Sequence, residues 1–147
     1  MAIKLEKVVE KFYQYLEEGK IMGRKCPACG NMEFPPVLAC NKCGNYETEW
    51  AEISGKAVMK SCVLPAALSS KPEYATVLGK KYCYAEIELE EGSLVNGVVL
   101  GVNKKKRKEL VLPAPVKAAI VERQVVETAN PDQPIKYKTV VFELVEE

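Results

Sequence analysis

The chain has 147 residues, 48% of them hydrophobic, with 21 basic and 20 acidic side chains for a net charge of +1. That balance gives no overall electrostatic pull toward nucleic acid or an acidic membrane surface, and the longest apolar runs, such as Val95–Val102, are interrupted and far too short to span a bilayer. The length is that of one domain, or of a small module joined to a modest one.

The charged N-terminus is unlike a signal peptide, which makes the cytoplasm the expected compartment. Residues 4–18 predict one amphipathic helix. Leu5, Val8, Val9, Phe12, Tyr13 and Leu16 fall on one stripe at helical spacing, with lysines and glutamates on the other face. Gly19 is a good C-terminal stop. The stripe has two outlets: its own chain, or another protein docked on Phe12, Tyr13 and Leu16.

Next come two Cys-x-x-Cys-Gly turns, Cys26–Gly30 and Cys40–Gly44, with ten residues between Cys29 and Cys40. Each turn presents two thiolates to one ion, and Gly30 and Gly44 let the backbone turn sharply behind the second sulfur. Cys26, Cys29, Cys40 and Cys43 together predict a tetrahedral four-sulfur site, the geometry of structural zinc. With no histidine anywhere in the chain, an all-cysteine set is the natural closed option. A closed set leaves no position for water or substrate, so the metal reads as a staple. Sulfur ligands alone do not choose between zinc and iron. Disulfides are the remaining alternative, disfavoured in a chain with no secretory signal. Cys62 and Cys83 are expected to stay reduced. Between the turns, Met32–Val37 reads as an extended piece whose Phe34 and Val37 cover the metal.

From Tyr46 the pattern changes to strands. Thr48–Ile53 and Lys56–Leu64 are candidates, the second with Val58, Cys62 and Leu64 on one face. Pro65–Lys81 is a long loop, Tyr82–Leu89 a clean alternating strand, and Leu94–Val102 its return. Lys104–Lys108 is a basic run read as a hairpin tip. Val116–Val126 and Tyr137–Val145 are the last strands, with Asn130–Pro134 the turn between them. The expected architecture is mainly β: an N-terminal helix (1–20), a rubredoxin-like four-cysteine zinc ribbon (21–47) and a small OB-fold β-barrel (48–147).

That layout resembles the zinc-ribbon/OB-fold family that accompanies thiolases and other acyl-CoA enzymes. The resemblance rests on Gly19-Lys20, the two cysteine turns, Phe34-Pro35-Pro36, Glu49–Lys56 with its Trp-x-x-x-Ser-Gly, Ala85–Gly92 with its Glu-Leu-Glu-Glu-Gly, and Leu112–Val116. It spans roughly residues 12–120. The chain departs from the family pattern at Leu112-Pro113-Ala114 and at Lys81-Tyr82-Cys83-Tyr84. The resemblance implies a non-catalytic zinc-binding subunit of a hetero-oligomer, docked on a thiolase-like catalytic subunit and helping to form its acyl-CoA site. The thiolase acting on benzoylsuccinyl-CoA is one such implied activity.

The residues agree with a non-catalytic role. A thiolase needs an activated cysteine, usually with histidine in the site, and Cys62 and Cys83 sit inside strand patterns as buried thiols. Lys104, Lys105 and Lys106 are candidate contacts to the phosphates of a CoA thioester shared with the partner, since lysines act as point charges for phosphate; the plainer reading is a solvated tip. The Pro65–Lys81 loop is the candidate to lie along acyl-CoA or the partner. The alternative function is an OB-fold module for single-stranded nucleic acid, which wants exposed aromatics and a basic face.

Overall fold

The structure, a computed structural model, describes residues 6–65, 81–127 and 130–145, and of 125–127, 130 and 131 only the backbone. Leu5 of the helix stripe and nearly all of the Pro65–Lys81 loop lie outside the described residues.

Helix α1 runs Lys7–Glu17. Its end is closed by Gly19 at φ 81°, where the Gly19 and Lys20 N–H groups reach back to the carbonyls of Leu16 (3.0 Å) and Tyr15 (2.9 Å). Its stripe packs on its own chain. Leu16 is fully buried, the Phe12 ring meets Phe34 edge-on at 6.0 Å, and Tyr13 meets Tyr137 at 6.0 Å. Leu16 is thus taken up by its own chain, while Phe12 and Tyr13 stay half-buried.

Strands β1 (Met22–Lys25), β2 (Met32–Glu33) and β3 (Glu49–Glu52) form a small antiparallel sheet in the order β2-β1-β3. The strand expected over 48–53 thus belongs to the ribbon's sheet. The reason is a cross-strand pair: Trp50 stands opposite Arg24, whose guanidinium lies over the indole at 4.8 Å. Gly23 is required by close packing, since a Cβ there would stand 2.7 Å from the Glu33 carbonyl.

Strands β4 (Lys56–Met59), β5 (Tyr82–Leu89), β6 (Leu94–Leu100), β7 (Ala114–Glu127) and β8 (Asn130–Leu144) close a barrel in the order β4-β5-β6-β8-β7. All neighbours are antiparallel except β6 and β8, which are parallel at Val99–Phe142. Numbered from β4, the order is 1-2-3-5-4, with helix α2 (Lys104–Glu109) between the third and fourth strands. This is the five-stranded Greek-key barrel of the OB type. Cys83, Ala85, Ile87 and Leu89 point inward with Met59, Val99, Val116 and Phe142.

Three expectations change. On β4 the inward residues are Ala57 and Met59, with Val58 on the other face; the strand stops at Met59, which removes the basis for alternating through Cys62 and Leu64. The basic run is a helix, capped by Asn103, whose side chain accepts from the Lys106 N–H at 2.8 Å. The β7–β8 ladder already pairs Glu127 with Asn130, so Asn130–Pro134 is strand; towards that tip neither strand has another partner among the described residues, a place where proline is admitted.

Ribbon and barrel are stitched together. The Ile53 N–H donates to Ile21 at 3.0 Å, the Ser93 hydroxyl donates to the Met32 carbonyl, and the Ser54 N–H donates to Glu91 Oε1 at 2.6 Å. The last bond joins the Ser-Gly and Glu-Leu-Glu-Glu-Gly stretches. Phe34 is buried in the main core with the barrel residues, not a free cover for the metal.

Candidate metal centre

The two cysteine turns have the same backbone. Cys26 N–H donates to Asn31 O at 2.8 Å and Gly30 N–H to Cys26 O at 2.9 Å; Cys40 N–H donates to Asn45 O at 2.8 Å and Gly44 N–H to Cys40 O at 2.9 Å. Gly30 and Gly44 sit at φ 79° and 80°. Both turns aim their sulfurs at one point. The four Sγ atoms lie within 4.8 Å of one another, with Cys26–Cys43 at 3.6 Å and Cys29–Cys40 at 3.5 Å. A tetrahedron with zinc–sulfur bonds of about 2.3 Å has edges of about 3.8 Å, so the set fits the ion. Four sulfurs would fill every position, which suits a structural ion.

The electrostatics favour a dication. At Cys26 the backbone N–H of Cys29 is the main influence, and with the backbone N–H of Ala28 and the side-chain amide of Asn45 it draws the thiol down to about 6 against burial. At Cys40 the backbone of Cys43 also lowers the thiol. At Cys43 the backbone of Asn45 lowers the thiol, but the Cys26 sulfur and burial outweigh it and push the group up to about 12. At Cys29 the backbone of Asn31 is likewise outweighed, by burial and the Cys40 and Cys26 sulfurs. One thiolate in each turn is stabilised by the backbone while its neighbour resists ionising beside it. A dication at the centre removes that repulsion.

Two residues of the site escaped the sequence reading. Asn31 Nδ2 stands 3.8 Å from Cys40 Sγ, and Asn45 Nδ2 stands 3.7 Å from Cys26 Sγ. Each turn's asparagine donates to the first sulfur of the opposite turn. The signal was present as a doubled Cys-x-x-Cys-Gly-Asn. Glu33 holds Asn31 at 2.8 Å and the Asn41 N–H at 3.2 Å, and buried Thr48 donates to the Leu38 carbonyl at 2.7 Å while accepting from Arg24 Nε at 3.0 Å. These bonds fix the path between the turns.

The other candidate residues lie elsewhere. Lys104 and Lys105 are exposed on α2 and Lys106 is half-buried, on a barrel element and not on the ribbon. Cys83 is fully buried, and burial, then Cys62 beside it, pushes its thiol up to about 12. A cavity of about 290 Å3 opens where helix, ribbon and barrel meet, walled by Phe12, Phe34, Pro36, Val95 and Phe142 among others. Among the described residues no helix is long and apolar enough to cross a membrane.

The fold and site define a protein with a four-cysteine zinc ribbon followed by a closed five-stranded barrel. Residues 14–48 match the family of the ChsH2 rubredoxin-like zinc ribbon domain. Solved structures share the fold, among them the following two. One, described as Ltp2-ChsH2(DUF35) aldolase, is 19% identical with a TM-score of 0.67 and is matched over 97% of this chain and 98% of that one. The other, a DUF35-family protein of unknown function from Sulfolobus solfataricus, is 18% identical with a TM-score of 0.55 over 95% of this chain and 86% of that one. No curated protein matches the chain in sequence.

Proposed function

We propose that this chain is a non-catalytic, zinc-binding subunit of a thiolase-type acyl-CoA enzyme complex, docking on the catalytic subunit and supporting its acyl-CoA site. One observation carries the reading: the ChsH2-type ribbon match coincides with an end-to-end likeness in fold to a chain described within an aldolase assembly. The chemistry of the residues supports it. The zinc set is closed, the sequence has no histidine, and Cys83 is buried with its thiol pushed up, which suits a chain that lends no nucleophile. In this reading the complex is cytoplasmic, the 1–20 helix, 21–47 ribbon and 48–147 barrel work as one joined body with residues 49–52 in the ribbon's sheet, and benzoylsuccinyl-CoA is a substrate worth trying first. Lys104, Lys105 and Lys106 contact the CoA phosphates.

The test is purification of the tagged chain from its native host, with mass spectrometry of what accompanies it and metal analysis of the same sample. The expected result is a thiolase-fold protein and about one zinc per chain, the count for a single closed site. A solitary chain overturns the reading. Replacing Lys104, Lys105 and Lys106 with alanine is expected to raise the complex's KM for acyl-CoA; an unchanged KM removes the phosphate role alone.

The nucleic-acid reading draws less support. On the outer face of β5 and β6, Tyr84 is exposed but Tyr82 is buried, and Glu86 and Glu88 share that face. A stacking platform flanked by carboxylates repels a phosphate backbone.

A further inference from the structure

The barrel has an open seam. Among the described residues, β6 and β8 pair only at Val99–Phe142 and Leu100–Glu143. Before those pairs the strands part, and the cavity of about 290 Å3 lies between them, with Asn96 and Gly97 on one side and Thr139 and Val140 on the other. Val9 and Phe12 of α1 and the Phe34-Pro35-Pro36 stretch supply the rest of the wall. The seam thus holds space for a small molecule and not for a further strand.

The backbone directions in the seam follow from bonds on its far side. Glu86 turns both its backbone groups away from β6. Its carbonyl accepts from the Lys60 N–H at 2.8 Å, and its N–H donates to Ser61 Oγ at 2.9 Å. Its partner across the ladder is Asn96, and the two residues of such an antiparallel pair point their N–H and C=O groups to opposite sides. Asn96 therefore presents a donor and an acceptor, side by side, to the seam. On β8, the Ala118 N–H turns away to the Gly55 carbonyl at 2.8 Å. Its partner Phe142 therefore faces β6, and Val140, two residues earlier, faces the same way. Both long sides of the cavity carry backbone hydrogen-bonding groups, in a space otherwise bounded by the Phe12, Phe34 and Phe142 rings and Pro36.

We infer that this seam cavity binds a flat, bicyclic heteroaromatic molecule of purine size, with a donor beside an acceptor on one edge. Size sets the bicycle: a benzene-sized guest occupies about 150 Å3, so about twice that volume takes two fused rings. The walls set the flatness, because ring and proline faces pack best on an aromatic plane. Asn96 sets the edge. Its N–H and C=O are matched together by an adjacent acceptor and donor, as on the amino-pyrimidine edge of adenine. An aliphatic chain in the same space would leave both groups unpaired.

The experiment titrates the full, zinc-loaded chain with adenine, AMP and quinoline, followed residue by residue by NMR. Adenine is expected to bind with a Kd of about 1 mM or tighter and to shift the Asn96 and Val140 amide resonances. Quinoline has the two rings but no donor, and is expected to bind about tenfold more weakly. Val95→Phe, which fills the space from β6, is expected to weaken adenine by about tenfold or more. Should that variant fail to fold, Val9→Phe fills the space from the helix side, and the resonance shifts of the unaltered chain stand without either. Binding of AMP along with adenine gives the site to the base of a nucleotide; adenine without AMP gives it to a free base. Adenine that leaves Asn96 and Val140 unmoved, or that binds a folded filling variant as well as the native chain, overturns the site. Quinoline binding as tightly as adenine overturns the heteroaromatic assignment.

Discussion

Asn31 and Asn45 are the residues on which the ribbon's precision turns. Each amide belongs to one cysteine turn and donates to a sulfur of the other. Neither turn is therefore complete by itself, and outer hydrogen bonds of this kind tune metal affinity by about 10–100-fold. Asn31→Ala and Asn45→Ala are each expected to lower zinc affinity within that range, read by competition with a chromogenic chelator. An affinity unchanged in both variants removes the asparagines from the site. The sulfurs were legible from spacing alone, whereas the asparagines were not, because a donor to a sulfur is recognised by where its amide points.

Cys83 poses the opposite case, a cysteine whose quietness is the point. Its thiol stands at about 12 against an ordinary 9, pushed up first by burial. The folded state thus favours the neutral thiol. Its contribution to stability is whole below pH 9 and is lost as pH rises from 9 toward 12. Urea unfolding across that window is expected to show stability falling with pH in the native chain, and falling less in Cys83→Ala. In the folded chain near neutral pH, iodoacetamide is expected to modify half-buried Cys62 well ahead of Cys83. Equal rates would place Cys83 nearer the surface than its burial allows.

At the scale of elements, α1 is held by the rest of the chain. Leu16 is fully enclosed, and truncating such a leucine costs about 2–5 kcal/mol. Leu16→Ala is expected to fall in that range by denaturant unfolding; a loss near zero would mean the helix is not docked. The helix, its glycine stop and the β5 strand could be read from the chain because each is declared locally, by 3.6-residue or two-residue periodicity and a breaker. The allegiance of β3 could not. Thr48–Ile53 has a strand's composition whichever sheet it joins, and the choice was made by the Arg24–Trp50 pair, 26 residues apart and invisible to periodicity. α2 was hidden for a different reason. Five successive cations oppose an isolated helix, and only the cap from Asn103 betrays it.

For the molecule as a whole, the junction between ribbon and barrel decides how it behaves. Phe34, from the segment between the two cysteine turns, is buried with Ile87, Val99 and Phe142 of the barrel, and Ser93 ties the β5–β6 turn to Met32. A ribbon this small has too little core to fold by burial alone, so its ion supplies much of its folding free energy. Removing the ion with a strong chelator, under reducing conditions, is expected to lower the melting temperature of the barrel as well as the ribbon, followed by far-UV and near-UV circular dichroism together. A barrel transition unmoved by chelation would show that the two units fold independently.

The Phe34 contact carries one more consequence. Because an aromatic ring from the metal module is part of the barrel's interior, a chain without its ion is missing a piece of core far from the sulfurs. A stability that depends on a bound ligand rises with the free concentration of that ligand. The supply of zinc in the cell then sets how many copies are correctly folded, and a shortage of the metal would be felt first as a shortage of folded chain.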